Sequence, residues 1–267
     1  MRLDSGRPEL TEDIELSLLL EGVYRVTGHD FRQYTPATMR RRALHAASAE
    51  GLHSISELQG RVLRDAAAMQ RLRETLSINV TEMFRDPSFF QALREQVLPV
   101  LRTHPFIRIW HAGCSTGEEV YSLAILLREA GLLDRSRLYA TDMHAPALNA
   151  ARSGIYPVQK LAAYERNYRE AGGTGEFGAY FTAQYEHALV RADLRQNIIW
   201  GQHNLATDSS FNEFHLILCR NVLIYFRSDV AKQLVGALVR RLAPTGLLFI
   251  GHAEPNPEFA DVARPVL

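Results

Sequence analysis

The fold is decided by the stretch Phe106–Glu119, which reads FIRIWHAGCSTGEE. A short apolar run, predicted to be a strand over 106–111, passes into a turn of small residues and then into a predicted helix over 117–130. This order is typical of a doubly wound parallel sheet, in which ligands bind beyond the carboxyl ends of the strands. Because Gly113 and Gly117 lack a side chain, a ligand can approach the backbone there. The stretch therefore predicts a nucleotide-type site in an α/β fold.

The same turn restricts the kind of ligand. It does not match Gly-x-Gly-x-x-Gly, and no lysine follows Gly117, so a dinucleotide and a nucleoside triphosphate are both disfavoured. Glu118 and Glu119 at the helix start would repel a phosphate and favour cationic groups, such as the sulfonium and amine of S-adenosylmethionine. The alternative is that the glycines only shape a turn while the glutamates cap a helix.

A second acid supports the same ligand. Asp142 closes the next predicted strand, where a carboxylate can accept both ribose hydroxyls of an adenosine. The analogous dinucleotide site uses an acid about 20 residues beyond its turn. Taken alone, Asp142 could be a cap of the helix that begins near Ala145-Pro146. The combination of turn and acid favours an adenosine-type site.

The rest of the chain divides into a helical part and a continuation of the α/β pattern. Up to about residue 75 the apolar spacing is helical, with a helix start at Thr35-Pro36-Ala37-Thr38 and its end at Glu50-Gly51. We predict an N-terminal helical domain with its linker at 1–90 and an α/β domain at 91–267. An insertion of antiparallel strands is predicted at about 164–196, where a glycine cluster interrupts the chain. Further strands are predicted at 137–141, 197–203, 214–219 and 246–251, and further helices at 145–153 and 228–242.

The composition excludes some partners. The 267 residues contain 30 Lys and Arg against 30 Asp and Glu, so no net field recruits nucleic acid or an anionic membrane. There is no uninterrupted apolar run of the roughly 18 residues that a membrane span needs, and we expect a cytosolic protein without membrane insertion. Cys114 and Cys219 are too few for a disulfide framework, which predicts reduced thiols and no structural metal.

Three segments resemble those of CheR-type chemotaxis-receptor glutamate O-methyltransferases. They are INVTEMFRD at 78–86, AGCSTGEE at 112–119 and CRNVLIYF at 219–226. The resemblance covers about residues 14 to 255. It implies a Rossmann-like class I methyltransferase sheet with a small N-terminal helical domain and a small antiparallel β insertion. It also implies S-adenosylmethionine as methyl donor, with S-adenosylhomocysteine as product.

The resemblance further implies roles for individual residues. Arg85 and Tyr225 would be catalytic, beside the methyl group and the incoming glutamate. Glu118 would meet the methionyl end of the cofactor and Asp142 its ribose. The positions implied to border the cofactor are Asn79, Thr81, Arg85, Gly113, Glu118, Asp142, Met143, Asn204, Leu205, Asn221 and Val222.

The chemistry of the reaction explains why this catalytic set is short. A glutamate carboxylate, with a pKa of about 4.3, is already ionised at neutral pH, so methyl transfer to it needs no general base. The enzyme must supply alignment, which is worth roughly 7 to 11 kcal/mol of such a barrier. We expect Arg85 to position the carboxylate without forming a tight bidentate pair that would neutralise it. The absence of Asn/Asp-Pro-Pro-Tyr at Asn221–Ile224 also favours an oxygen acceptor over a nitrogen.

The segment 31–49 contains four arginines and no acid, a local charge of +4 in a neutral protein. In the resembled family a basic helix at this position is thought to face the acidic methylation helices of the receptor, so Arg40, Arg41 and Arg42 are implied to dock the receptor's cytoplasmic helices. A solvated helix face is the alternative. The segment Phe181–Val190 is shorter than a receptor-tethering loop and lacks glycine, so tethering through a receptor pentapeptide is not expected.

Two other functions remain open at this point. One is a different small-molecule or protein O-methyltransferase, and the other is a non-catalytic regulatory module that binds S-adenosylmethionine or a nucleotide. The sequence ends at Leu267, where a final antiparallel strand is expected, and a longer gene product is therefore also open.

Overall fold

The computed structural model describes residues 8–77, 81–208 and 212–251. The chain forms two compact units. The helical unit comprises the described part of Met1–Ile78 together with Ile224–Ala231, and the α/β unit comprises the described part of Asn79–Leu223 and Lys232–Leu267. In the described ranges, no helix combines the length and hydrophobicity required to cross a bilayer.

The helical unit is organised by its caps and by apolar residues at helical spacing. Its helices are α1 Pro8–Thr27, α2 Pro36–Ala49, α3 Ile55–Val62 and α4 Ala66–Leu76. The Ser54 side chain accepts a hydrogen bond from the Glu57 amide at the start of α3, and Asp65 accepts from two amides at the start of α4, which satisfies amides that would otherwise lack a partner. The predicted start and end of α2 are confirmed, since Pro36 is its first residue and Gly51 follows its cap with φ +72°.

The α/β unit alternates helices and strands, and a π-helical turn over Leu93–Val97 interrupts its first helical segment. Its elements in chain order are α5 Pro87–Ala92, α6 Leu98–Arg102, β1 Ile107–Ala112, α7 Glu118–Glu129, β2 Ser136–Asp142, α8 Ala145–Ser153, β3 Ile155–Pro157, α9 Val158–Glu170, β4 Phe181–Gln184, β5 His187–Val190, α10 Ala192–Arg195, β6 Ile198–Gln202, β7 Phe214–Cys219, α11 Ser228–Val239 and β8 Leu242–Ile250. The first four residues of α11 are assigned to the helical unit.

The main sheet has five parallel strands in the order β6-β2-β1-β7-β8. From β1 the chain first moves outward through β2 to β6, and then returns to the other side of β1 for β7 and β8. The order therefore reverses between β1 and β7, and in doubly wound sheets this switch point is where ligands bind. The three central strands β2, β1 and β7 contain fully buried residues such as Leu138, Ile109 and Leu216, as a sheet covered on both faces requires, whereas the edge strands β6 and β8 are mostly half-buried or exposed. The predicted doubly wound fold is confirmed.

The predicted insertion is only partly correct. An antiparallel sheet in the order β3-β5-β4 exists, but its first strand, β3, precedes the predicted range of about 164–196, and the beginning of that range is the second half of α9. Tyr164 and Tyr168 are spaced one helical turn apart and are both buried, so they stabilise a helix through tertiary packing. The glycine break follows the helix, with Gly172 at φ +80°.

Two boundaries near the end of the chain differ from the predictions. Helix α11 ends at Val239 instead of residue 242, and β8 begins at Leu242 instead of residue 246. Strand β8 pairs with β7 through a register irregularity between Phe214 and Leu216, and this extra length was not evident from the apolar run alone. The predicted strand at 214–219 is confirmed.

Candidate functional site: a cofactor cleft at the switch point

The turn after β1 is shaped by Val222, which lies on the other side of the switch point. Gly113 has φ +82°, and a Cβ atom placed there would lie 2.5 Å from a methyl carbon of Val222, which follows β7. The backbone amides of Gly113 and Cys114 both donate to the carbonyl of Thr141, at 2.9 Å each. Any side chain at position 113 would therefore force Val222 and the end of β7 away from this turn.

Gly117, at the other end of the turn, is equally constrained. It has φ +89°, and a Cβ atom there would lie 2.9 Å from the Cβ atom of Ala151 and 3.2 Å from the ring of Trp200. Gly117 is also the N-cap of α7, and its amide donates to the carbonyl of Cys114 at 3.0 Å. The two glycines thus allow α7 to start directly beneath the turn, with its amides directed toward it.

Asp142 is tied to this turn by hydrogen bonds from the backbone. Its Oδ2 accepts from the amide of Ser115 at 2.8 Å and its Oδ1 from the amide of His144 at 2.9 Å. Each carboxylate oxygen has a second lone pair, so both can also accept a ribose hydroxyl. Burial raises the pKa of Asp142, and the two amides oppose that shift. The N-cap of α8 is His144, so the interpretation of Asp142 as the cap of that helix is wrong.

Glu118 is a second buried carboxylate at the turn. Its residue is 1% exposed, the Thr116 hydroxyl donates to its Oε2 at 2.6 Å and the Tyr164 hydroxyl donates to its Oε1 at 3.3 Å. Burial raises the pKa of Glu118, while these hydrogen bonds and the charge of Lys160 oppose the shift. A buried carboxylate of this kind is stabilised in its ionised form by a cationic ligand group.

Five of the other predicted cofactor residues come soon after the carboxyl ends of β2, β6 and β7. Met143, after β2, accepts a hydrogen bond at its carbonyl from Gln202 at 3.1 Å. Asn204, after β6, accepts from the amide of Ala206 at 3.0 Å and so shapes its own turn. Leu205 lines a small cavity of about 80 Å³ next to it. Asn221, after β7, has the left-handed φ of +57°.

The segment Thr81–Asp86 is held by residues distant in sequence. Phe84 and Asp86 both have positive φ, at 53° and 57°, so Arg85 lies between two strained backbone positions. The Phe84 amide donates to the Ser122 hydroxyl at 2.8 Å. Thr81 is half-buried, and the predicted Asn79 lies outside the described residues. The structure therefore fixes the backbone at Arg85 through tertiary contacts that local sequence does not indicate.

Two functional candidates escaped the sequence analysis, His111 and Arg220, and both contact Glu119. The Nδ1 atom of His111 lies 2.9 Å from Oε1 of Glu119, and Arg220 donates to Oε2 of Glu119 at 3.1 Å. Arg220 also forms an ion pair with Asp86 at 2.6 Å. The only signal for Arg220 was its place inside the CRNVLIYF segment, where attention fell on its neighbour Asn221.

Tyr225 belongs to the helical unit. Its ring lies nearly parallel to that of Tyr34, with a centroid distance of 6.5 Å, and its carbonyl accepts from the amide of Thr35 at 2.8 Å. Arg85 belongs to the α/β unit, so a shared catalytic role of these two residues remains a prediction.

The positive charge of the segment 31–49 is partly balanced by acids that lie outside the segment. Arg40 forms an ion pair with Asp13, and Arg32 pairs with Glu21 and Asp30 at 2.7 and 2.8 Å. Arg42 is turned toward the end of α4, where it donates to the carbonyl of Thr75 at 2.5 Å. Of the three arginines predicted to dock a receptor, Arg41 is the exposed one. The balancing acids come from other parts of the chain or from just outside the segment.

The doubly wound sheet carries one carboxylate, Glu118, at its first turn and another, Asp142, at the end of its second strand. This arrangement is typical of α/β proteins that bind an adenosine-containing ligand with cationic groups. Comparison with known families gives the particular member of that class. Residues 79–266 match the family described as CheR methyltransferase, SAM binding domain, and residues 14–77 match CheR methyltransferase, all-alpha domain. The chain therefore belongs to the CheR methyltransferase family, and its cofactor is S-adenosylmethionine.

Individual relatives agree with the family. The chain is 48% identical to methyltransferase Cher3 of Pseudomonas putida, over 92% of this chain and 90% of that one. It is 33% identical to chemotaxis protein methyltransferase 2 of Pseudomonas aeruginosa, over 92% of this chain and 88% of the relative. It is 30% identical to a chemotaxis protein methyltransferase of Listeria monocytogenes, over 92% and 91%. The resemblance found in the sequence is thereby confirmed.

Proposed function

We propose that this protein transfers the methyl group of S-adenosylmethionine to glutamate side chains of a chemotaxis receptor, forming glutamate methyl esters and S-adenosylhomocysteine. The observation that carries the proposal is the pair of carboxylates Glu118 and Asp142 on the turn at the switch point, both with a pKa raised by burial. The names of the relatives as chemotaxis protein methyltransferases support the choice of acceptor.

The residues of the cleft fit this cofactor. The ionised form of Glu118 would bind the amine of its methionyl part, and Asp142 would accept the ribose hydroxyls with the lone pairs that the backbone leaves open. Asn204 and Leu205 would border the adenine, while Met143, Asn221 and Val222 would complete the cleft at the ends of β2 and β7. Thr81 and Asn79 would close it from the segment that carries Arg85. The bound cofactor supplies a methyl group activated by the adjacent sulfonium.

The proposed acceptor side of the site consists of Arg85 and Tyr225. Arg85 would orient the glutamate carboxylate through its guanidinium, and Tyr225 through its hydroxyl. A glutamate carboxylate held in this way would bond through one oxygen to the methyl carbon, and the carbon–sulfur bond would break with its electron pair kept on sulfur. No proton moves, so the protein contributes alignment and the exclusion of water instead of a general base.

The proposed partner is the set of cytoplasmic helices that carry the receptor's methylation sites, which would place the protein in the cytoplasm. Arg41 is the exposed candidate for contact with their acidic faces, while Arg40 and Arg42 would contribute only after giving up Asp13 and the Thr75 carbonyl. The β4–β5 hairpin turns through Tyr185 and Glu186 alone, which supports docking without a pentapeptide tether.

The proposal is tested by incubating the protein with S-adenosylmethionine labelled in its methyl group and with receptor cytoplasmic fragments. Label that is recovered on the fragment and released by mild base as methanol supports a glutamate ester. A matched fragment with its methylation-helix glutamates replaced by glutamine is expected to take up no label. Base-stable label would point to a nitrogen acceptor, and cofactor binding without transfer would favour a regulatory module; either result contradicts the proposal.

A further inference from the structure

Arg220 is a buried charged side chain that contacts several segments of the α/β unit. Its side chain is 4% exposed and lies entirely within the α/β unit. Its Nη2 donates to Asp86 at 2.6 Å and to the carbonyl of Arg85 at 3.2 Å, and its Nη1 donates to Glu119 at 3.1 Å. Its guanidinium carbon lies 3.9 Å from the centre of the Phe89 ring. One side chain therefore joins the segments around residues 86 and 119 to the end of β7.

Each of these segments carries a residue of the proposed site. The hydrogen bond to the Arg85 carbonyl acts directly on the backbone of the proposed catalytic arginine. Glu119 is the chain neighbour of Glu118, and Asn221 is the chain neighbour of Arg220. A displacement of the Arg220 guanidinium would thus be transmitted to the acceptor side and to the cofactor side of the cleft together.

The charge on Glu119 keeps Arg220 in this position. Burial alone would raise the pKa of Glu119, but the hydrogen bond from His111 and the nearby charge and hydrogen bond of Arg220 outweigh it, so its pKa is lowered and the carboxylate is ionised. His111 is itself fully buried. The planar, forked guanidinium of arginine can reach two carboxylates and a carbonyl at once, whereas a lysine ammonium is a single point charge.

We propose that Arg220 is a positioning residue, which sets the place of Arg85 relative to the cofactor turn by joining Asp86, the Arg85 carbonyl and Glu119. The inference rests on the proposed function for its kinetic consequence, because Arg85 is expected to act on the acceptor. A misplacement of about 1 Å in such a site can cost about a hundredfold in rate. Arg220 acts through other residues and is not assigned contact with the reacting atoms.

The test compares Arg220→Lys with Arg94→Lys. Arg94 makes the same kinds of contact in the same unit, namely an ion pair with Glu129 at 2.6 Å, a hydrogen bond to the Ala171 carbonyl at 3.0 Å and a tyrosine ring nearby. We expect Arg220→Lys to lower the methyl-transfer rate at saturating cofactor by about 10- to 100-fold. The dissociation constant of S-adenosylhomocysteine is expected to rise about fivefold by calorimetry, because Arg85 also borders the cofactor. Arg94→Lys should leave both within about twofold while lowering the melting temperature.

Several outcomes overturn the proposal. One such outcome is that Arg220→Lys lowers only the melting temperature, with the methyl-transfer rate and the S-adenosylhomocysteine affinity unchanged at temperatures where the variant is folded. Arg220 would then have only a structural role, through its ion pairs. If Arg220→Lys does not fold, Asp86→Asn replaces it, because the Asp86 side chain is 54% exposed and its substitution loosens only one contact. An unchanged rate in that variant is then decisive against the proposal. If the wild-type protein methylates no receptor fragment, the proposed function fails, and calorimetry alone decides the role of Arg220.

Discussion

The turn after β1 and the arginine segment of α2 both have distinctive sequence patterns. Only the turn has, in the structure, the feature that its pattern indicates. At the turn, Gly113 and Gly117 adopt left-handed backbone angles, and side chains at these positions would meet Val222 and Ala151. In α2, Arg40 is paired with Asp13 and Arg42 caps the end of α4. The first signal described a backbone conformation, whereas the second described charges whose partners lie elsewhere.

The difference has a physical origin. A turn that needs glycine is a local requirement, because it depends on the φ angle and on the Cβ atom of that residue. The potential of a charged segment depends on every counter-charge within about 10 Å, which is the screening length at ordinary salt concentrations. Charge patterns therefore predict surfaces less reliably than glycine patterns predict turns.

The largest expected effect is on the ribose side of the turn. Asp142→Asn removes the charge and one of the two acceptors, so the affinity for S-adenosylhomocysteine should fall by about 100-fold, since hydrogen bonds to a charged group are worth about 1.5 to 3 kcal/mol each. Isothermal titration calorimetry gives the dissociation constant. Asp134→Asn, at an exposed position of the same unit, is the matched control and should bind normally. Normal binding by Asp142→Asn would remove the proposed ribose contact.

The next effect concerns the helical unit. Tyr225→Phe keeps the ring that lies nearly parallel to that of Tyr34 but removes the hydroxyl, so methyl transfer should slow by about tenfold with an unchanged affinity for S-adenosylhomocysteine. A single-turnover assay measures the rate. Tyr185→Phe, in the hairpin where that tyrosine is 92% exposed, should transfer at the wild-type rate. Equal rates for both variants would mean that Tyr225 has no catalytic role.

The charge of Glu118 is expected to strengthen ligand binding and to lower the stability of the free protein. Glu118→Gln should weaken binding of S-adenosylhomocysteine about tenfold, through loss of an ionic contact, yet raise the melting temperature of the free protein at pH 7.5 by about 1 to 3 °C. The pKa of Glu118 is raised in the folded protein by burial, so ionising it costs stability as the pH rises through that pKa.

The pH dependence checks this reasoning. Because the pKa of Glu118 is raised in the folded protein, the wild-type carboxylate becomes protonated as the pH falls from 7.5 to 4.5, and the melting temperature should approach that of Glu118→Gln. The affinity of the wild-type protein for S-adenosylhomocysteine should also fall as the pH falls, since the ionised carboxylate is the form that binds an amine. A stability difference that does not change between pH 7.5 and 4.5 would contradict the role of burial.

The smallest expected effect lies in α2. Arg41→Glu should raise the KM for receptor fragments about three- to fivefold at low salt, and less at high salt, because exposed charge pairs are weak and screened. Steady-state methylation at two salt concentrations measures it. Arg152→Glu, which changes a last-turn arginine of α8 in the other unit, is a matched reversal that should leave the KM unchanged. An Arg41 variant with no change in KM at either salt concentration would remove this helix from receptor docking.

Much of the candidate site could be predicted because its residues follow the carboxyl ends of parallel strands. Asp142, Asn204 and Asn221 each come after a short apolar run, and parallel strands bring their carboxyl ends to one edge of the sheet. The insertion was harder to place, since the tyrosines of α9 fit either a strand-rich loop or a helix until their burial is known. The network of His111, Glu119 and Arg220 could not be derived, because Arg220 lies 101 positions from Glu119 and no local pattern relates the two.

The sequence by itself determined the chain order of the five main-sheet strands, the positions at which the turn needs glycine and the acid that ends β2, because these depend on periodicity and on local backbone sterics. Only the tertiary structure decided which glutamate at the start of α7 remains in the cofactor turn and which is bound by Arg220. It also decided that the arginines of α2 are largely paired. The reason is the same in both cases: the free energy of a charged side chain depends on the partners that the fold brings to it, and those partners are distant in sequence.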